Sequence, residues 1–205
     1  MKKLFITLIA FLPLTIWAQD NTWELPEMEQ EEAAETKDNP NQKYLKGAVP
    51  LIDGKVVFNT TIEAPGKTAA EIYDILHKYM LKMTTEKNQI HSELVIADAN
   101  THELGGSYEE WLVFKRNAIS LDRTRFSYVL EAKCEDGKAH LSLNRIRYLY
   151  EENRNPQHLK AETWITDNEA VNKKNTKLYP ITGKFRRKTI DRKDFLFNKI
   201  ETLLK

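Results

Sequence analysis

Apolar and polar residues alternate along much of this chain, and the period of the alternation changes from segment to segment. From Lys55 to Ile62 it is two: Val56, Phe58, Thr60 and Ile62 share one face, which predicts a strand half buried against a core. Asp53-Gly54 marks the turn before it and Pro65-Gly66 the turn after. At Thr68 the period lengthens. Ile72, Ile75, Leu76, Tyr79, Met80 and Met83 recur at helical spacing. Thr68 and Glu71 fit a capping box, in which each side chain satisfies a free backbone N–H of the first turn.

Strand-like runs follow. Glu93 to Ala99 is short and apolar. Gly105-Gly106-Ser107 reads as a tight glycine turn ahead of the next run, Tyr108 to Lys115, which places Trp111 and Val113 on one side and Leu112 and Phe114 on the other. In Arg125 to Cys134, Phe126, Tyr128, Leu130, Ala132 and Cys134 point one way, while Ser127, Glu131 and Lys133 point the other. Asp136-Gly137 predicts a hairpin. On the return strand Leu141 and Leu143 have one parity, and Ile146, Tyr148 and Tyr150 the opposite one. A period of two slips only through an extra residue, so a bulge is expected near Asn144-Arg145. His158 to Ile165 is a candidate sixth strand, and Asn168 to Lys174 a candidate short helix capped by Asp167. A last helix is predicted from about Asp191, its apolar face built from Phe197, Ile200 and Leu204 with Leu196 and Leu203 at the flanks. Strand, helix, consecutive hairpin-type strands, helix: this order implies an α+β domain whose antiparallel sheet carries the helices on one face.

The first residues follow another pattern. Lys2 and Lys3 precede an almost wholly apolar run from Leu4 to Trp17, and Ala18-Gln19-Asp20 turns polar. This is the layout of a secretory signal peptide over residues 1–18, with cleavage expected between Ala18 and Gln19. The run falls short of the roughly 20 residues that a membrane-spanning helix needs. The expected product is periplasmic or secreted and does not span the membrane after cleavage. The single cysteine, Cys134, excludes both lipid attachment at the cleavage site and an internal disulfide. It lies on the apolar side of its strand, where a thiol is buried and inert.

Charge is balanced over the whole chain, at a net +1, but unevenly distributed. Residues 19–43 hold eight acids and two lysines, with Pro26, Pro40 and few apolar side chains. Such a segment buries too little surface to offset the entropy of ordering, and it is expected to be a flexible acidic tail. The remainder, 44–205, holds 27 basic and 22 acidic side chains and is of one-domain length.

Three segments resemble a known family. Tyr44-Leu45-Lys46-Gly47-Ala48-Val49-Pro50, followed by Gly54-Lys55-Val56-Val57-Phe58, is similar to the opening of the bacterial family catalogued as domain of unknown function 4468. Trp164-Ile165-Thr166-Asp167 and the segment Gly183-Lys184-Phe185-Arg186-Arg187-Lys188-Thr189-Ile190-Asp191 resemble its closing part. The resemblance implies a TATA-binding-protein-like (TBP-like) fold, β-α-β(four or more)-α, in a secreted or envelope protein of a Gram-negative bacterium. It implies no activity, cofactor or catalytic residue, and a fold label does not by itself carry DNA binding.

No catalytic constellation stands out. The five histidines, His77, His91, His102, His140 and His158, show no metal-ligand spacing, and neither a nucleophile elbow nor a phosphate loop is present. The neighbouring carboxylates Glu109-Glu110 and Glu151-Glu152 fall on strands, where adjacent side chains diverge. The dense charged feature is Lys184, Arg186, Arg187, Lys188, Arg192 and Lys193, either a solvated face or a site for an anionic envelope component. Tyr148, Tyr150, Trp111 and Trp164 either fill the core or line a cleft for a small apolar ligand between sheet and closing helix. Export makes nucleic acid an unexpected partner. The function expected first is a non-catalytic binding module of the envelope. A hydrolase or isomerase with a site assembled from distant strands, and a structural envelope component, are the alternatives.

Overall fold

The structure, a computed structural model, describes residues 39–117 and 121–205. The leader and nearly all of the acidic segment lie outside the described residues.

A short antiparallel ribbon, β1 (Leu51–Ile52) and β2 (Lys55–Val56), turns through Asp53-Gly54. Both turn residues have positive φ, 50° and 73°, as a right-twisted two-residue hairpin demands. Then come β3 (Phe58–Glu63), α1 (Ala69–Met83), β4 (Glu93–Asp98), β5 (Glu103–Arg116), β6 (Leu121–Glu135), β7 (Lys138–Tyr150), β8 (Gln157–Lys160), α2 (Asp167–Ala170) and α3 (Pro180–Leu204). The main sheet is antiparallel throughout, in the order β3-β7-β6-β5-β4. β8 pairs with the second half of β7, beyond the stretch that β3 occupies.

The predicted capping box is present: the Glu71 amide donates to the Thr68 hydroxyl, and the Glu71 carboxylate accepts from the Thr68 amide. The predicted bulge is present too. Ser127 faces Arg147 and Val129 faces Asn144, so Tyr128 alone opposes Arg145 and Ile146. Arg145 takes the extra position at φ 54°. The slip lets Leu141 and Leu143 before it, and Ile146 and Tyr148 after it, all enter one core.

That core lies on one side of the sheet. Phe126, Tyr128, Leu130 and Ala132 of β6 and Ile62 of β3 meet Ile72, Leu76, Met80 and Met83 of α1 and Phe185, Ile190, Leu196, Ile200 and Leu204 of α3. Cys134 is buried there, and burial pushes its thiol up to about 11.

Several boundaries differ from the sequence reading. The glycines of 105–107 are not a turn but the interior of β5. A Cβ on Gly106 would lie 2.4 Å from the Tyr108 ring, which folds back over it and donates its hydroxyl to the Met80 carbonyl at 3.0 Å. The sixth strand stops at Lys160 and gives way to a 3-10 turn, Ala161–Thr163. α2 ends at Ala170 and is preceded by Thr166, not Asp167, at its N-cap. The closing helix starts eleven residues earlier than expected, with Pro180 in its first turn and Leu196 rather than Phe197 on the buried line. Its first half buries Gly183, Phe185, Arg186, Thr189 and Arg192. Small and charged side chains on an inward face hide a helical period from hydropathy. The folded part also reaches back past Tyr44, since the Asn39 side chain donates to the Thr176 carbonyl and Lys43 pairs with Asp191 at 2.7 Å.

Replacing Gly106 with Ala should therefore force the Tyr108 ring off its seat. A loss of roughly 1–3 kcal/mol in urea unfolding is expected, as for other overpacked core sites.

Candidate functional site

The basic run of α3 does not form a surface patch. A helix distributes consecutive residues around its circumference, and these side chains leave in different directions. Arg186 is fully buried. Its Nε donates to the Tyr44 carbonyl at 2.6 Å, Nη2 to Leu45 at 2.6 Å and Asp167 at 2.7 Å, and Nη1 to the Ile165 carbonyl at 2.7 Å. Burial draws its guanidinium below the usual arginine range, against the pull of Asp167. Arg192 is buried as well, with a bidentate bond to Glu110: Nε to Oε1 at 2.6 Å and Nη2 to Oε2 at 2.7 Å. Asn88 and Gln89 donate to the same carboxylate at 2.9 and 2.8 Å.

Lys184 turns to the far end of the sheet, where Asp122 and the Tyr150 hydroxyl receive its ammonium at 2.7 and 3.0 Å. Burial opposes that charge, but the two partners outweigh it and raise the group. Arg187 lies over the Tyr44 ring and donates to Asn41, and Lys188 is half-buried on the same helix. The anion site expected at Lys184, Arg186, Arg187, Lys188 and Arg192 is therefore corrected for Arg186 and Arg192, which are internal struts with no path to an external ligand. The five are not brought together.

The aromatic residues are brought together, but around a side chain rather than a cleft. Tyr148, Tyr150 and Trp164 each meet the Phe185 ring edge-on, at 5.1, 5.4 and 5.9 Å between centroids. Phe185 is fully buried, and the Tyr148 hydroxyl closes the layer against Thr189 at 2.7 Å. The place foreseen for an apolar ligand is filled by α3 itself. Trp111 lies elsewhere, on the other face of the sheet beneath Arg123, whose guanidinium stacks 3.5 Å from the ring centroid.

Among the described residues no helix lies on that other face, and it carries two grooves. One, of about 610 Å³, is lined by Asn59, Thr61, Ile96, Glu131, His140 and Ser142, among others. A second, of about 550 Å³, runs past Glu131 to Asn144, Arg145, Arg147, Lys160 and Lys55. Strand pairing aligns these groups. Thr61 faces His140, Asn59 faces Ser142, Ser142 faces Glu131 and Arg147 faces Lys160. The Asn144 amide bridges Glu131 at 2.7 Å and Ser142 at 2.9 Å, holding the shared wall of the two grooves.

Thr61, His140 and Glu135 suggest a nucleophile, imidazole and carboxylate in outline, at 2.9 and 3.6 Å. All three lack the burial that activates such a relay. Glu135 is instead held below the usual carboxylate range first by Lys138, 3.2 Å away. Among the described residues no group of three His, Cys, Asp or Glu side chains is placed to hold a metal ion, and no helix is long and apolar enough to cross a membrane.

No motif in the sequence marks the open-face residues as a site. Their signal was present as the polar parity of Ser127, Glu131 and Lys133. Parity alone does not separate a ligand face from a wetted one.

A one-sided antiparallel sheet with two long helices on its covered face defines an α+β protein of TBP-like fold. The model of the family described as "domain of unknown function (DUF4468) with TBP-like fold" matches residues 58–149. A crystal structure of a DUF4468 family protein from Bacteroides ovatus is similar at a TM-score of 0.72 and 39% identity, over 82% of this chain and 96% of that one. A TBP-like protein from Parabacteroides distasonis is similar at a TM-score of 0.63 and 20% identity, over 76% of this chain and 96% of that one, which concerns the fold alone. No curated protein matches. The chain belongs to the DUF4468 family.

Removing one partner of the Arg192–Glu110 pair strands a charge in the core. Arg192→Met should cost roughly 3–5 kcal/mol in urea unfolding, and adding Glu110→Leu should recover part of that loss, because the stranded carboxylate goes with it.

Proposed function

We propose that this protein is an exported, non-catalytic binding module that receives its ligand on the uncovered face of the sheet. One observation carries the reading. The covered face is filled by Phe185 and its aromatic neighbours, whereas the open face holds two contiguous grooves with a polar wall tied by Asn144. Grooves of this size suit a small ligand, and convergent polar groups confer orientation and specificity. Export rests on the charged start, the apolar run from Leu4 to Trp17 and the small residue at Ala18. A periplasmic or secreted location follows from that reading.

Two measurements test the two halves. Intact-mass analysis of the protein from a periplasmic or culture fraction should give a chain beginning at Gln19, and a cytoplasmic chain retaining its leader would overturn export. Native mass spectrometry of protein purified from its own envelope should show a small-molecule adduct that disappears in Ser142→Trp, whose indole fills the first groove. An adduct unchanged in that variant would move the site off the open face.

A further inference from the structure

The second groove of the open face carries an unbalanced charge. Lys55 enters from the β1–β2 ribbon, Arg145 and Arg147 from β7, and Lys160 from β8. Two carboxylates share the groove, and both are engaged: Glu131 accepts from Asn144 at 2.7 Å, and Glu162 accepts from the Val56 amide at 3.2 Å. None of the four cations has a side-chain hydrogen bond or ion pair to another described residue. Elsewhere on this face, by contrast, two of the cations have carboxylate partners. Lys133 pairs with Glu103 at 3.4 Å, and Arg125 with Glu152 at 2.7 Å.

Two features make the imbalance costly in the free protein. Arg147 and Lys160 face each other directly across paired strands, where like charges repel. Arg145 occupies the bulge in a left-handed conformation, φ 54°, which glycine or asparagine adopts more easily. Bulges re-aim side chains, and strain of this kind collects at ligand sites. The charge, the register and the bulge converge on one place.

We propose that this groove binds the phosphate or sulfate ester of a hydroxyl-rich ligand, an anionic saccharide. The inference rests on the open-face reading above. A tetrahedral oxyanion ester presents several strong acceptor oxygens to two guanidinium groups and two ammonium groups. Past Glu131 the lining adds the polar side chains of Asn59, Thr61, His140 and Ser142 beside apolar Ile96, a mixture that can meet both the hydroxyls and the C–H face of a sugar. Nucleic acid fits less well. Among the described residues no aromatic side chain lines the four-cation groove for a base to stack on, and Trp111 is already covered by Arg123.

The test is a series of amide-resolved NMR titrations of the mature chain with inorganic phosphate, glucose 6-phosphate, galactose 6-sulfate, glucose and a short single-stranded DNA. Phosphate should bind saturably at Arg145, Arg147 and Lys160 and weaken as salt rises. The two sugar esters should bind more tightly and extend the shifts to Thr61 and Ser142, whereas glucose alone should be weaker than either. Arg147→Ala with Lys160→Ala should weaken the esters by about tenfold or more. Arg145→Gly, which keeps the left-handed backbone and relieves its strain, should weaken them at a melting temperature no lower than the parent's. Phosphate binding as tightly as the esters overturns the saccharide part, and DNA binding more tightly than the esters overturns the ligand class. Shifts scattered without saturation, or variants that bind as the parent does, overturn the anion site altogether. If the anion site fails while Ser142→Trp still removes the native adduct, the open-face reading stands without it; if Ser142→Trp also changes nothing, both fall.

Discussion

A guanidinium cannot shed its charge inside a protein, so carrying one into a core calls for acceptors placed close around it. Two such groups decide the architecture. Arg186 gathers the carbonyls of Tyr44, Leu45 and Ile165 and the Asp167 carboxylate around the first half of the closing helix. Arg192, six residues further on, grips Glu110 in the middle of β5, and Asn88 and Gln89 close on the same carboxylate. Between them these two side chains specify the angular setting of α3, the path of the N-terminal segment and the loop after α1. Such pairs add specificity of arrangement more than net stability.

With α3 held in that setting, its apolar side chains have one place to go. Phe185 enters the ring formed by Tyr148, Tyr150 and Trp164, while Leu196, Ile200 and Leu204 continue the contact alongside α1. The covered face is thereby closed to ligands. Among the described residues the opposite face carries no helix, because α1 and α3 are both committed to the same side. Long paired strands then present a ruled surface in which register, not loop geometry, sets the spacing of polar groups. A surface of this kind exposes rows of polar side chains at fixed spacing along and across the strands.

The bulge at Asn144-Arg145 couples core and surface. Inside, it restores the apolar parity of β7. Outside, it separates the stretch of β7 that pairs with β3 from the stretch that pairs with β8, and Arg145 faces the open groove at that junction. One extra residue serves both purposes, so the groove is part of the construction of the sheet rather than an addition to it.

Alternation and turn chemistry made much of this fold legible in the sequence. The capping box at Thr68, the hairpin at Asp136-Gly137, the phase slip near Arg145 and the inward stripe of α1 each report local physics, and each stands where the residues place it. The α+β class followed from element order alone. Two kinds of feature were not legible. Where a helix buries charge or glycine, as α3 does at Gly183, Arg186 and Arg192, hydropathy has no period to show, and the pattern begins only near Asp191. Where a tyrosine folds over its own strand, Gly105-Gly106 imitates a turn. The placement of function had the same limit. Lys184 to Lys193 is conspicuous as a run, yet a helix scatters it and the core consumes its two key arginines. Lys55, Arg145, Arg147 and Lys160 span more than a hundred positions and come together only when β7 pairs with β8 and the β1–β2 ribbon packs beside them. Local periodicity is written into neighbouring residues, whereas the sharing of charge between distant ones exists only once the chain has folded.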